Sequence, residues 1–254
     1  MSSEATGAAA LWGSADYNRL AERFAPIHEE LVERLAPAVG IEWLDVATGT
    51  GAIALRAARA GATVTGLDIS PDLIEVAKAN AGRLPVTFDV GDAEALPYAD
   101  QAFDVVSSCF GAIFAPDHSA VAAELRRVCR GRLGLMNWVP IPQLWDVFAR
   151  FDREPPEGRE MFEWGKAEYV ESLLGADFDL EIEEKTWILE GADGEELYDL
   201  WFRAAPPYKA TIESFDDVRR EEFKREYIEY CEQYRQGDRV AVPRPYLLVL
   251  GKRR

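Results

Sequence analysis

The chain has 254 residues, 48% of them hydrophobic, and a formal net charge of -17. Such a composition can bury a sizeable core, in one elaborated domain or two small ones. The acidic balance argues against a nucleic-acid substrate, because phosphate backbones are held by clustered Lys and Arg. No run of about 18 apolar residues exists to span a membrane. Met1–Ala10 has neither the basic nor the apolar region of a secretory signal. Cys109, Cys129 and Cys231 are odd in number and widely spaced, which fits neither a disulfide framework nor a zinc cluster. A cytoplasmic location and no metal site are therefore expected.

Taken in chain order, Tyr17–Leu35 reads as one helix, with Leu20, Phe24, Ile27, Leu31 and Leu35 near 3.6-residue spacing. Pro37 and Gly40 end it. Ile41–Ala47 reads as a strand, Gly51–Arg59 as a helix stopped by Gly61, and Ala62–Asp68 as a second strand. Ser70 is an N-cap with Pro71 at the first helical position. Pro85–Val90 and Phe103–Ser108 read as strands three and four. Asp117 caps a helix running to about Arg130, and Arg132–Trp138 reads as strand five. This alternation predicts an α/β fold: a mostly parallel, Rossmann-like sheet with right-handed crossovers and helices on both faces.

After Trp138 the rhythm changes. Pro140, Pro142, Pro155 and Pro156 interrupt a segment in which Leu144, Trp145, Phe148 and Phe151 mark a short helix. Tyr169–Leu174, Glu195–Arg203 and Phe215–Tyr234 read as helices. Phe178–Leu189 and Val242–Leu250 read as strands suited to an antiparallel closure. Four segments of one domain result: 1–40, a helical segment covering the site; 41–138, the α/β core; 139–176, a cap insertion; and 177–254, the closing strands with a helical insertion. Residues 139–176 and 191–240 are expected over the strand C-termini, where such sheets bind ligands.

The chemistry concentrates in Leu44-Asp45-Val46-Ala47-Thr48-Gly49-Thr50-Gly51, a strand running into a glycine turn and a helix. Gly49–Ala54 formally fits the dinucleotide fingerprint G-x-G-x-x-G/A. Three features point to a different nucleoside cofactor. Asp45 lies inside the strand, where a carboxylate weakens a pyrophosphate site but suits a cationic sulfonium and amino group. Asp68 ends the second strand nineteen residues after Gly49, and its two oxygens can accept from both ribose hydroxyls. Gly91-Asp92-Ala93 follows the third strand, where a carboxylate can accept from an adenine amine and a backbone N–H can serve a ring nitrogen; Asp89 is a nearby competitor.

These segments resemble the class I S-adenosylmethionine-dependent methyltransferases, in particular their small-molecule, quinone- and sterol-type branch. Asp45-Val46-Ala47-Thr48-Gly49-Thr50-Gly51 is similar to the first motif of the family. Leu67-Asp68-Ile69-Ser70 is similar to the ribose-binding segment. Gly91-Asp92-Ala93-Glu94, Leu96-Pro97 and Phe103-Asp104-Val105-Val106 are similar to the adenine segment and fourth strand. The resemblance covers about 100 residues. It implies seven strands, one reversed, and a cofactor site made of Tyr17, Asp45, Ala47, Gly49, Gly51, Asp68, Ile69, Asp92, Ala93, Cys109 and Phe110. One departure stands out. The family's Pro-Gly-Gly type turn before strand five is replaced by Val128-Cys129-Arg130-Gly131, so register is expected to suffer there rather than activity.

The remaining polar and aromatic residues have plainer readings beside functional ones. Cys109 fits a small wall residue better than a nucleophile. Phe110, Phe114 and Trp138 serve either core or pocket, with Phe114 and Trp138 the candidate substrate-lining pair. His28 sits near an apolar helix face and fits a structural role. His118 is either a solvated first-turn residue or a proton acceptor at the pocket rim. Trp145, Trp164 and Trp201 read as cap core. The expected function is methyl transfer from S-adenosylmethionine to a small, partly apolar acceptor, driven by positioning and desolvation. An NAD(P)-dependent oxidoreductase and a non-catalytic S-adenosylmethionine-binding protein remain as alternatives.

Overall fold

The computed structural model describes residues 3–12, 18–151 and 159–254. Helix α1 (Ser3–Trp12) is followed by α2 (Asn18–Arg23) and α3 (Ala25–Arg34). The single helix expected over Tyr17–Leu35 is thus broken at Phe24. Pro26 stands in the first turn of α3, and in a continuous helix its ring would clash with the carbonyl four residues earlier. Strand β1 (Glu42–Val46), α4 (Ala52–Arg59), β2 (Thr63–Asp68), α5 (Pro71–Ala81), β3 (Val86–Val90) and β4 (Phe103–Cys109) follow in the predicted alternation. Ser70 caps α5 as expected, its side chain accepting from the Leu73 N–H.

Helix α6 (His118–Val128) passes directly into β5 (Cys129–Trp138). No turn separates them, which corrects the start expected at Arg132. Two residues of β5, Arg130 and Gly131, oppose one of β4, Asp104, because Phe103 pairs with Cys129 and Val105 with Arg132. This bulge stands where the family's turn is missing. Gly131 permits it, since a Cβ there would lie 2.4 Å from the Asp104 carbonyl oxygen. Arg130 locks the bulge by donating to both Asp104 oxygens at 2.8 Å. The register shift lies at the N-terminal end of the strands, away from the site.

Beyond β5 come α7 (Pro142–Ala149), a 3₁₀ segment (Arg159–Gly165), α8 (Ala167–Leu174) and β6 (Phe178–Gly191). Then follow α9 (Gly194–Ala204), α10 (Pro206–Glu213), α11 (Asp217–Glu232), β7 (Arg235–Gln236) and β8 (Arg239–Arg253). The sheet order is β3-β2-β1-β4-β5-β8-β6, with the two-residue β7 on β8. Strand β8 is antiparallel to both neighbours. Six parallel strands with one reversed are therefore observed, as the resemblance implies. Helix α10 escapes the sequence reading because Pro206–Pro207 looks like a break; at a helix start it is tolerated.

Two apolar layers cover the sheet. One contains α3 and α4 residues together with Phe148, Phe202, Phe223 and Tyr227. The other contains α6 residues together with Trp164, Val170 and Leu174. The segment after β5 therefore divides between the faces: α7 joins α9 and α11 on one, and α8 joins α6 on the other. Among the described residues, no helix is long and apolar enough to cross a membrane.

Candidate functional site

Strand order reverses between β1 and β4, and chains leaving such neighbours diverge to opposite faces and open a crevice. Ala47 leaves β1 with φ +56° and Phe110 leaves β4 with φ +58°. Both are non-glycine residues in the left-handed region, a cost that backbones carry mostly at functional sites. The two chain ends touch: a Cβ on Gly111 would lie 2.4 Å from the Ala47 Cβ. Above this floor opens a cavity of about 800 Å³. Of the predicted residues, Ala47, Gly49, Asp68, Ile69, Asp92, Ala93, Cys109, Phe110, Phe114 and His118 line it. Tyr17 lies outside the described residues.

Asp68 is fixed by its neighbours. One carboxylate oxygen accepts from the Gly49 N–H at 2.8 Å and the other from the Ser70 N–H at 2.9 Å. Each oxygen keeps further acceptor capacity. Burial raises the Asp68 carboxyl above its ordinary value, and the backbone N–H groups of Ser70, Gly49 and Ile69 oppose that rise. Asp92 holds its own loop, accepting from the Glu94 N–H at 3.0 Å. Asp89, its competitor, does not line the cavity; it accepts from the Tyr98 hydroxyl at 2.9 Å. The loop after Asp92 is pinned from α6. Glu124 accepts from the Leu96 N–H, and Arg127 donates to the Leu96 and Tyr98 carbonyls.

Asp45 and Gly51 do not reach the cavity, contrary to their motif positions. Asp45 is 1% exposed. It accepts from Thr48 at 2.7 Å and from Ser107 at 2.8 Å, and Ser107 in turn accepts from the Trp43 indole. Asp45 is thus a tie behind the glycine turn, joining β1, β4 and the turn itself. Gly51 caps α4 with φ +87°.

The same bonds decide what the turn can hold. A pyrophosphate cradle needs free N–H groups. Here three of them are taken: the Thr48 N–H donates to the Leu67 carbonyl, Gly49 to Asp68 and Gly51 to the Thr48 carbonyl. Two buried carboxylates add negative charge beneath the turn. That environment repels a phosphate and suits a cation.

Burial raises the Asp45 carboxyl from 3.8 to about 6, and the Thr48 and Ser107 hydroxyls limit the rise. Below pH 3.8 folded and unfolded chains both hold the proton; between 3.8 and about 6 only the folded chain does. Stability from this group therefore falls as pH rises through that window, by about 3 kcal/mol, and is flat above it. Asp45→Asn should remove this slope. Melting temperatures of both proteins from pH 4 to 7 test it, and parallel curves would contradict the assignment.

His118 opens α6 behind its cap Asp117 and is buried, so the solvated reading is corrected. Its Nδ1 lies 3.1 Å from the Tyr169 hydroxyl of α8, and its ring meets Trp164 edge-on. Cys109 is a wall residue: burial and nearby Asp45 raise its thiol well above the ordinary value, away from thiolate chemistry. His28 is buried outside the cavity and lowered to about 3 by burial, which fits a structural residue.

Trp138 does not line this cavity. It stacks on Phe110, with centroids 3.9 Å apart and planes at 8°. It faces a second, aromatic cavity of about 70 Å³ that shares Trp12, Phe110 and Phe114 with the first. Trp145 and Trp201, expected as cap core, line this second space. Sequence reading missed Trp12, Tyr169 and Arg244. Trp12 and Tyr169 carry no local signal. Arg244 does, because it interrupts the apolar alternation Val240, Val242, Tyr246, Leu248.

Residues 44–132 match the family described as methyltransferase domain. The chain is 38% identical over 175 residues to an uncharacterised protein of Mycobacterium tuberculosis, a match covering 65% of this chain and 64% of that one. It is 36% identical over 131 residues to the nocamycin O-methyltransferase of Saccharothrix syringae, covering 48% and 47%. The chain therefore spans less than two thirds of these relatives. Among solved structures, the YcgJ protein of Bacillus subtilis superposes with TM-score 0.63 at 21% identity, over 89% of this chain and 97% of that one. Phosphoethanolamine N-methyltransferase 2 of Haemonchus contortus, solved with S-adenosylhomocysteine, superposes with TM-score 0.59 at 17% identity, over 90% and 52%. Residues 44–132 thus match a methyltransferase domain, and the fold around them is the one these methyltransferase structures share.

Proposed function

We propose that this protein transfers a methyl group from S-adenosylmethionine to a small, partly apolar acceptor. The observation that carries the reading is the pair of buried carboxylates, Asp45 and Asp68, beneath a glycine turn whose Thr48, Gly49 and Gly51 N–H groups are spent internally. Asp68 would hold the ribose hydroxyls, Asp92 and the Ala93 N–H the adenine, and the Ala47–Gly49 turn the methionine end. Asp45 would act through the turn rather than by contact. Cys109 and Phe110 would wall the adenine side. When bound, S-adenosylmethionine supplies an electrophilic methyl group on a sulfonium.

The chain itself contributes position and dryness. Trp12, Phe114 and Tyr169 line the mouth of the cavity and would exclude water from the acceptor. His118, held by Tyr169, would take the proton that an acceptor hydroxyl or amine releases. The similarity to an O-methyltransferase supports an oxygen acceptor. The acidic surface supports a substrate other than nucleic acid, and the absence of paired cysteines supports a cytoplasmic setting.

Incubation with methyl-labelled S-adenosylmethionine and a panel of phenols, carboxylic acids and amines should label a product. His118→Ala should lower kcat about a hundredfold, with binding of S-adenosylhomocysteine unchanged. Binding without label in any product would support the non-catalytic alternative instead.

A further inference from the structure

Strand β8 turns Val240, Val242, Tyr246 and Leu248 inward, and Arg244 occupies the same face. Arg244 is 3% exposed. A buried guanidinium is ordinarily matched by a carboxylate, because the charge cannot be shed. Among the described residues Arg244 makes no ion pair. Its side chain donates to the Tyr227 hydroxyl at 3.0 Å and lies over the Trp201 ring at 4.9 Å. Its Nε has no hydrogen-bond partner. The other polar groups acting on it are Tyr208, Tyr230 and Cys231. Burial keeps all of these protonated; the Cys231 thiol, for instance, is pushed up to about 12.

Arg244 is also the charged residue in the lining of the aromatic cavity. A cation–π contact with Trp201 offsets part of its desolvation and leaves the charge without a counterion. The cavity, about 70 Å³, takes a carboxylate and a few attached atoms. It adjoins the larger cavity, with Trp12, Phe110 and Phe114 lining both. The stacked pair Phe110 and Trp138 gives this cavity a flat aromatic wall, and Phe110 also lines the larger one.

We propose that Arg244 anchors a carboxylate on the methyl acceptor, whose apolar body lies along the Phe110–Trp138 wall with its reacting end in the larger cavity. This proposal rests on the methyltransferase reading of that cavity. It makes the acceptor an organic acid with an apolar or aromatic body. Two charge-assisted hydrogen bonds to a guanidinium, formed away from water, would then discriminate the acid from its neutral isostere.

The test uses the full chain saturated with S-adenosylhomocysteine, with benzoate and phenylacetate as probes against benzamide and phenylacetamide. Binding is followed by tryptophan fluorescence and calorimetry. Wild type should bind each carboxylate at least about tenfold more tightly than its amide. Arg244→Met, of similar length and without charge, should abolish that preference and keep its affinity for S-adenosylhomocysteine. Its melting temperature should be unchanged or higher, because an uncompensated buried charge has been removed. Equal binding of acid and amide by wild type would overturn the proposal whether or not the variant folds. So would a preserved preference in the variant. A fall of more than about 5 °C in the variant would mark Arg244 as a structural tie and also overturn it. Failure of wild type to bind S-adenosylhomocysteine is seen in the first titration, and it would overturn the methyltransferase reading separately.

Discussion

Asp68→Ala should abolish measurable binding of S-adenosylhomocysteine. The carboxylate does two things at once. It holds the Gly49 and Ser70 N–H groups, which sets the ends of two turns, and it presents its remaining acceptor capacity to the cavity. Hydrogen bonds to a charged group are worth about 1.5–3 kcal/mol each. Losing two of them to ribose hydroxyls costs a hundredfold or more in affinity. The Gly49 and Ser70 donors would also be left buried without partners, at about 1–3 kcal/mol each. Relief of the desolvated carboxylate offsets part of that loss, so the fall in stability is smaller than the fall in affinity. Asp68→Asn keeps the shape and one acceptor, and should lie between, near tenfold weaker. Calorimetric titration of the three proteins distinguishes these outcomes. Wild-type affinity in Asp68→Ala would mean that the ribose lies elsewhere.

Gly111→Val should cost both stability and binding. A Cβ at this position meets the Ala47 Cβ at 2.4 Å and the Ala47 carbonyl oxygen at 3.1 Å. Neither can swing aside like the end of a long side chain. Ala47 is itself in the left-handed region and begins the turn that carries Gly49. The insertion therefore pushes β1 and β4 apart at the floor of the crevice. Overpacking of this kind costs about 1–3 kcal/mol, or a drop of about 2–12 °C in melting temperature for a chain of this size. Binding should fall further than stability, because the displaced atoms are the cavity floor. A variant with wild-type melting temperature and affinity would contradict the contact between the two chain ends.

How much of this was legible in the sequence depended on how local the cause is. Ser70-Pro71 starts a helix by its own chemistry, and the structure begins α5 there. Asp68 follows from a strand that must end where the next turn begins. Asp45 was placed correctly in a strand, but its direction was not readable. Ser107, which ties it away from the cavity, is 62 residues distant. Pro26 and Pro206 act alike, each standing in the first turn of a helix that a single residue separates from the helix before it; spacing alone runs the first pair together and drops the second helix. The site closure was least legible. Trp12 and Tyr169 come from segments with no motif, brought to the rim by packing onto Phe114 and His118. Arg244 was legible in principle, as a charge where alternation calls for an apolar residue.

The crevice between β1 and β4 should accept S-adenosylmethionine and reject a dinucleotide. Calorimetric titration of the full chain with S-adenosylhomocysteine and, separately, with NAD⁺ tests it most directly. The buried carboxylates and the occupied N–H groups of Thr48, Gly49 and Gly51 predict saturable binding of S-adenosylhomocysteine and no binding of NAD⁺. Binding of NAD⁺ with no response to S-adenosylhomocysteine would contradict it.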